Sequence, residues 1–232
     1  MRYNIFLILA MLVSTEASLL YAQADSARLE AAFRFQDGVY AGREQLLANR
    51  PAHTWDSLNV RLAANPEKYR AQAEYLRHKR TGQDLGRGEV WGIVIDGLPY
   101  ILLEEEQSNG AMAFAGLRVR GRICYYRFEE DRVREVEITA YNPLTGKPFR
   151  KAAVQRPETV EVERIFDLAT GQAGPLDLPT VRQLIAGDAQ LLRSLEEQEA
   201  PVGSERLYKI VLIYDDRNPL WLPVGEAVKN NK

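Results

Sequence analysis

The sequence predicts an α+β protein in which a curved antiparallel β-sheet is flanked by N-terminal and C-terminal helices. Apolar and polar residues alternate repeatedly over residues 88–168, as is typical of strands, whereas residues 25–87 and 177–232 mostly have apolar residues at helical spacing. The chain has 232 residues, of which 46% are hydrophobic, and no linker-like segment divides it. We therefore expect a single domain over residues 25–232.

Composition narrows the classes of function. The 30 basic and 32 acidic side chains give a net charge of −2, which does not fit a strongly basic nucleic-acid-binding protein. Cys124 is the only cysteine and so forms no internal disulfide, and two histidines offer few ligands for a metal site. We predict no metal, no cofactor and no nucleic-acid partner.

Residues 1–24 have the pattern of a signal peptide. Arg2 precedes a nine-residue apolar run at residues 5–13 (IFLILAMLV). A helix of that length rises about 14 Å, far less than the roughly 30 Å hydrocarbon core of a bilayer. Small residues at Ala22 and Ala24 predict cleavage between Ala24 and Asp25. We expect an exported protein, periplasmic or extracellular, with no transmembrane segment in the mature chain. The alternative, a retained amphipathic helix, is disfavoured because the apolar residues form one block.

The N-terminal part of the mature chain is predicted to be mostly helical. A short helix is expected over residues 43–49 and a brief strand over residues 58–62. The strongest helix is expected to begin at Asn65, a good N-cap, and to end at Gly82. Tyr69, Ala73 and Leu76 then share one helical face.

The strongest strand signal is a hairpin around Asp96 and Gly97, a dipeptide typical of two-residue turns. The expected pairs are Ile95 with Leu98, Ile93 with Tyr100, and Trp91 with Leu102. Further alternation predicts strands over residues 115–119, 124–128, 136–140 and 160–163, with turns at residues 129–131 and 142–146.

Two short helices and a longer one are predicted near the C-terminus. Asp177 and Asp188 are suitable N-caps for the first two. Residues 204–216 fit both a helix and a strand, and we favour a helix because Ser204 and Glu205 make a plausible start.

Several short motifs together carry a resemblance to a group of proteins. They are residues 35–40 (FQDGVY), 49–51 (NRP), 90–92 (VWG), 121–126 (GRICYY) and 216–220 (DRNPL). In combination they resemble a group of uncharacterised exported proteins common in the Bacteroidota. The resemblance implies export and transfers no functional residue. Ala41 and Gly42 depart from the group, which usually has a hydroxyl residue there to cap the helix.

Two sets of residues are candidate ligand contacts. Arg77, Lys79 and Arg80 belong to the densest basic patch, which suits a phosphate, an anionic glycan or a lipid headgroup. The simpler explanation is that these cations stabilise the C-terminal end of the predicted helix. Trp91 and Tyr100 are predicted on one face of the hairpin, where they form either a sugar or peptide platform or, more simply, part of the core.

No motif assigns a catalytic residue. Acidic runs at residues 104–106, 129–131 and 215–216 are interpreted as solvated charge in turns. Cys124 alternates with Tyr126 and Phe128 on an apolar strand face, which predicts a buried, structural thiol.

We interpret the chain first as an exported, non-catalytic binding or envelope-associated protein whose partner is a glycan, a peptide or an envelope component. The second interpretation is an exported hydrolase acting on glycan or peptide through carboxylates that converge only in the folded protein. A hydrolase would show buried or paired carboxylates with perturbed pKa values. A binding protein would show an apolar groove or an exposed strand edge instead.

Overall fold

The structure is a computed structural model that describes residues 26–104, 110–141, 143–197 and 202–224. Strands account for 45% and helices for 21% of these described residues, so the described part of the protein is mainly β. The prediction of an α+β protein with flanking helices at both ends is therefore wrong. The predicted signal peptide and its cleavage site between Ala24 and Asp25 lie outside the described residues.

The elements follow one another along the chain as eleven strands and four α-helices within the described residues. They are β1 (Ser26–Arg28), β2 (Gly38–Tyr40), α1 (Arg43–Leu47), β3 (Leu58–Asn65), β4 (Arg70–His78), β5 (Gly92–Ile95), β6 (Leu98–Leu102), β7 (Met112–Gly116), β8 (Ile123–Tyr141), β9 (Pro148–Asp167), β10 (Ala173–Pro175), α2 (Leu178–Leu184), α3 (Ala189–Glu196), α4 (Ser204–Arg217) and β11 (Trp221–Pro223). Short 3-10 turns lie at Trp55–Ser57 and Arg87–Glu89.

Six strands form a curled antiparallel sheet in the order β2-β5-β6-β7-β4-β3. The curl brings the segment before β3 back against β2, where Val39 and His53 exchange backbone hydrogen bonds. It also places the rings of His53 and His78 edge to face, with 4.6 Å between their centroids. Inside the curl, Ile93, Tyr100 and Phe114 belong to one buried cluster.

The predicted helix from Asn65 to Gly82 is wrong: these residues form the last residue of β3 and the turn after it, then β4, and then the turn that follows β4. Asn65 accepts the backbone N–H of Lys68 through its side chain at 3.0 Å, which is the bond that an N-cap makes. The chain then turns at Tyr69, whose φ of 53° is left-handed, and does not continue as a helix. Ala71 and Ala73 are buried two residues apart, the period of a strand. The local capping signal was right, and tertiary packing decided what followed it.

The hairpin at Asp96 and Gly97 is confirmed. Ile95 pairs with Leu98 and Ile93 pairs with Tyr100, as predicted. Both turn residues have positive φ, 52° and 74°, as a type I′ turn requires.

β8 and β9 pair as a long antiparallel ribbon that, with β10, forms a second sheet of three strands. The predicted turn at residues 129–131 is wrong, since β8 runs through it, whereas the predicted turn at residues 142–146 joins the two strands. Near its base the ribbon is buried on both faces, and beyond Glu130 and Val160 its residues are mostly exposed. We call residues 131–141 and 148–159 the arm; at about 3.3 Å per residue it is roughly 35 Å long.

The C-terminal helices pack on the base of the ribbon. Asp177 and Asp188 cap α2 and α3 through the N–H groups of Thr180 and Leu191, as predicted. The predicted helix over residues 204–216 is α4. The N-terminal part has no comparable helical layer among the described residues, since its one α-helix, α1, has only five residues. No helix among the described residues is long and apolar enough to cross a membrane.

Candidate functional site

The predicted pair Trp91 and Tyr100 does not form a shared platform. Tyr100 is 2% exposed and belongs to the cluster inside the curled sheet. Trp91 lies before β5 and packs against a different buried cluster, which includes Tyr126 and Phe166. The centre of its ring is 5.7 Å from that of the Phe166 ring. The strand alternation that placed the two rings on one face does not extend back to Trp91.

The basic patch lies at the end of a strand, so the proposed role of its cations at a helix end is wrong. Arg77 is paired with Asp84, with 2.7 Å between Nε and Oδ1, and the two groups neutralise each other. Lys79 and Arg80 are exposed in the turn after β4. The guanidinium of Arg77 also lies 5.2 Å from the centre of the Tyr75 ring, a cation–π distance.

Two buried carboxylates, Asp167 and Asp215, lie near the start of β8. The sequence analysis did not consider Asp167, and its interpretation of Asp215 as solvated turn charge is wrong. Asp167 at the end of β9 is 1% exposed, and Asp215 in α4 is 4% exposed. Arg122 donates to both oxygens of Asp167, with a shortest distance of 2.7 Å. Asp215 accepts the backbone N–H of Ile123 at 2.9 Å through Oδ1, while Oδ2 has no hydrogen-bond partner among the described residues.

The environments of these two carboxyl groups push their pKa values apart. Burial raises the pKa of Asp215 to about 7, with a further contribution from the charge of Asp167. Burial also acts to raise the pKa of Asp167, but hydrogen bonds from Arg122 and Ala169 outweigh it and hold that pKa below its usual value. Such a split is one mark of an acid–base pair. However, both side chains are almost fully buried, although Asp215 borders a surface cavity of about 490 Å³, and their partners are backbone amides and one arginine.

A more accessible site lies between the six-stranded sheet and the base of the ribbon. One cavity of about 340 Å³ is bounded by the ends of β3, β4 and β7 and by Phe128 and Glu129 of β8. A second, of about 390 Å³, is bounded by β6, Tyr126, Phe128 and Arg164. Leu103 and Phe128 line both cavities, and we call the two together the arm-base cleft. Each has the size of a small-molecule site.

Aromatic rings form the ribbon side of this cleft. Tyr126 and Phe128 lie on the same face of β8 with their rings nearly parallel, at 16°, and 6.2 Å apart. Arg164 holds its guanidinium 5.9 Å from the centre of the Phe128 ring, a cation–π distance. Phe128 is only half-buried, so part of its ring is free to contact a ligand.

Charged and amide side chains surround the aromatic surface. Arg70 and Glu129 form a bidentate pair across the cleft, at 2.8 and 3.1 Å, and Asn65 and Gln72 lie in the same wall. Hydrogen bonding to Arg70 lowers the pKa of Glu129, and hydrogen bonding to Arg132 lowers that of Glu130. These two carboxylates are therefore ionised near neutral pH and do not supply the protonated acid that a glycosidase needs.

In the part of the chain that the structure describes, no group of three or more His, Cys, Asp or Glu side chains is placed to hold a metal ion. Comparison of the chain with protein-family models, with curated proteins and with solved structures found no match.

Proposed function

We propose that the protein is an exported, non-catalytic binding protein that holds a glycan in the arm-base cleft. The observation that carries this proposal is the half-buried ring of Phe128, which lines both cavities and is surrounded by arginine, amide and carboxylate side chains. A saccharide has apolar ring faces that stack on aromatic side chains and hydroxyl edges that bond to planar polar groups. The cleft presents both kinds of group side by side.

Export is the second part of the proposal. It is supported by the apolar run at residues 5–13 and by the small residues before Asp25. Sequencing the N-terminus of protein recovered from the host envelope or medium tests it. Asp25 as the first residue supports export, and an intact Met1 would contradict it.

Glycan binding is tested with a panel of oligosaccharides on an array, followed by calorimetry of any that bind. Phe128→Leu keeps an apolar side chain in the cleft but removes the flat ring, so we expect at least about a tenfold loss of affinity, the scale of one aromatic contact. Trp221→Leu is the matched control because Trp221 is exposed and lies outside the cleft. Unchanged binding by Phe128→Leu, or a panel with no binder, would reject the proposal.

Hydrolysis of a glycan or peptide is the second candidate, favoured by the split pKa values of Asp167 and Asp215. It would require a substrate to reach side chains that are 1% and 4% exposed. Release of reducing ends or amines from polymeric substrates, lost in Asp215→Asn, would establish it and displace the binding proposal.

A further inference from the structure

The two faces of the arm differ in charge. Alternate residues of a strand lie on opposite faces, and the pairing sets Arg134 opposite Arg156 and Val136 opposite Val154. One face therefore carries apolar residues together with arginines and no acidic residue over residues 134–140 and 150–156. We call it the cationic apolar face, defined by Arg134, Val136, Ile138, Arg150, Val154 and Arg156. The other face carries Glu135, Glu137 and Lys151, of which the last two form an ion pair.

The cationic apolar face is left exposed. Ile138 and Val154 are 38% and 40% exposed, and a two-stranded ribbon is only marginally stable when water covers both of its faces. Arg134 and Arg156 stand directly opposite each other across the ribbon, an arrangement that costs stability without an anion nearby. Glu158 approaches Arg134 only to 3.9 Å. The face thus favours a partner that is both apolar and anionic.

The turn at the end of the arm has the same character. Leu144 is 93% exposed and Tyr141 is 60% exposed, and Lys147 is exposed beside them. Over residues 138–157 the sequence has four basic residues and no acidic one, although the whole chain has a net charge of −2. The positive charge is therefore concentrated where the arm extends farthest.

We propose that the arm docks on the surface of an anionic lipid bilayer, with the cationic apolar face and Leu144 in the interface. Apolar side chains gain by entering the boundary between headgroups and acyl chains, while arginine and lysine pair with lipid phosphates. Tyrosine is common at this depth. The arm is roughly 35 Å long and mostly exposed along that length, so its surface is available to a bilayer.

A second copy of the chain is a poorer occupant of this face. A two-fold contact places the same patch on both subunits, so the arginines of one arm would meet those of the other. The bilayer proposal concerns a surface separate from the arm-base cleft, and it stands or falls independently of glycan binding.

Cosedimentation with vesicles tests the proposal, using protein purified after export. The two vesicle types are pure phosphatidylcholine and phosphatidylcholine with about one-third phosphatidylglycerol, at low and high salt. We expect binding to the anionic vesicles only, weakening as salt is added. Arg150→Glu should reduce that binding at least about tenfold, and Leu144→Asp should reduce it too. Arg206→Glu in α4 makes the same charge change at an exposed position far from the arm and should bind as the wild type does.

Circular dichroism and thermal unfolding of each variant check that the fold is kept, which we expect because both arm positions are exposed. Three results would overturn the proposal: no binding of the wild type to anionic vesicles, equal losses in Arg150→Glu and Arg206→Glu, or equal binding to both vesicle types. Sedimentation of a dimer without vesicles, abolished by Arg150→Glu, would overturn it in favour of a second copy. If the arm binds an acidic protein and the protein does not bind vesicles, the bilayer proposal is overturned and the partner is a protein.

Discussion

Asp215 in α4 binds the backbone N–H of Ile123 at the start of β8, with 2.9 Å between Oδ1 and N. This contact joins the longest helix of the described residues to the base of the ribbon. Gly121 lies so close to the same carboxyl group that a Cβ there would be 2.5 Å from Cβ of Asp215. The junction therefore depends on a buried acid and on a glycine with no side chain to obstruct it.

Asp215→Asn should change how stability depends on pH. Burial raises the pKa of Asp215 to about 7 in the folded protein, against about 3.9 in an unfolded chain. The folded state therefore keeps a proton that the unfolded state loses. The stabilisation from the neutral carboxyl is complete below about pH 4 and disappears as the pH rises through about 7. Asparagine keeps an acceptor for Ile123 and does not titrate.

We expect the two proteins to be similar in stability near pH 4, and the variant to be the more stable near pH 8 by on the order of 3 kcal/mol. Urea unfolding at a series of pH values measures the difference. Asp216→Asn is the control, since Asp216 is exposed and paired with Arg28. A constant difference between Asp215→Asn and the wild type across that pH range would contradict a buried neutral acid.

Gly121→Ala should destabilise the junction. The new Cβ would overlap Asp215, and forcing a methyl group into a packed site costs about 1 to 3 kcal/mol. Asp215→Gly in the same chain removes the Cβ, Cγ and Oδ2 that the new methyl group would overlap, and it should recover part of that loss, which a double-mutant cycle by denaturant unfolding measures. Gly88→Ala is the control because no heavy atom lies within 4 Å of its Cβ position. Strictly additive effects would show that Gly121 and Asp215 are not coupled.

Arg122→Ala should cost about 3 kcal/mol or more, because it leaves Asp167 buried without its cation. The N–H groups of Ala169 and Thr170 still reach that carboxylate and keep the loss toward the low end of the usual range. Arg127→Ala breaks a pair with Glu161 in which both side chains are largely solvated, and should cost less than about 1 kcal/mol. Thermal unfolding of the two variants compares them, and equal losses would mean that burial of Asp167 adds nothing.

The sequence predicted the structure best at turns and helix starts, where a few neighbouring residues determine the local backbone. Asp96 and Gly97 favour a two-residue turn, and that turn fixes which residues of β5 and β6 pair. Asp177 and Asp188 cap the helices predicted for them. Asn65 also made its predicted bond, but a single cap does not determine whether a helix or a turn follows. The alternation of Ala71 and Ala73 was hidden because alanine favours helices and has little apolar contrast.

Features that depend on distant contacts were missed. Asp215 was interpreted as solvated turn charge because its neighbour Asp216 is also acidic, yet α4 turns one inward and the other outward. Glu129 and Glu130 suggested a turn because charged residues interrupt the apolar alternation there. They remain in β8 because the pairing with β9 continues through them, and Arg70 and Arg132 form ion pairs with their side chains. The arm-base cleft is lined by residues that include pairs more than 50 positions apart, such as Arg70 and Glu129. A single sequence does not show that such distant residues lie close together.

Cys124 should be unreactive in the folded protein, as the sequence predicted. Its side chain is fully buried beside Tyr126 and Phe166. Burial raises the pKa of the thiol well above its usual value, with further contributions from Asp215 and Asp167, so little of the reactive thiolate forms near neutral pH. Labelling with a disulfide reagent should be slow in native buffer and fast in denaturant. In Thr145→Cys, whose new thiol lies in the exposed turn of the arm, we expect one fast and one slow phase. Fast labelling of the wild type in native buffer would mean that the ribbon base opens readily, and that Cys124 is available for chemistry that its burial otherwise prevents.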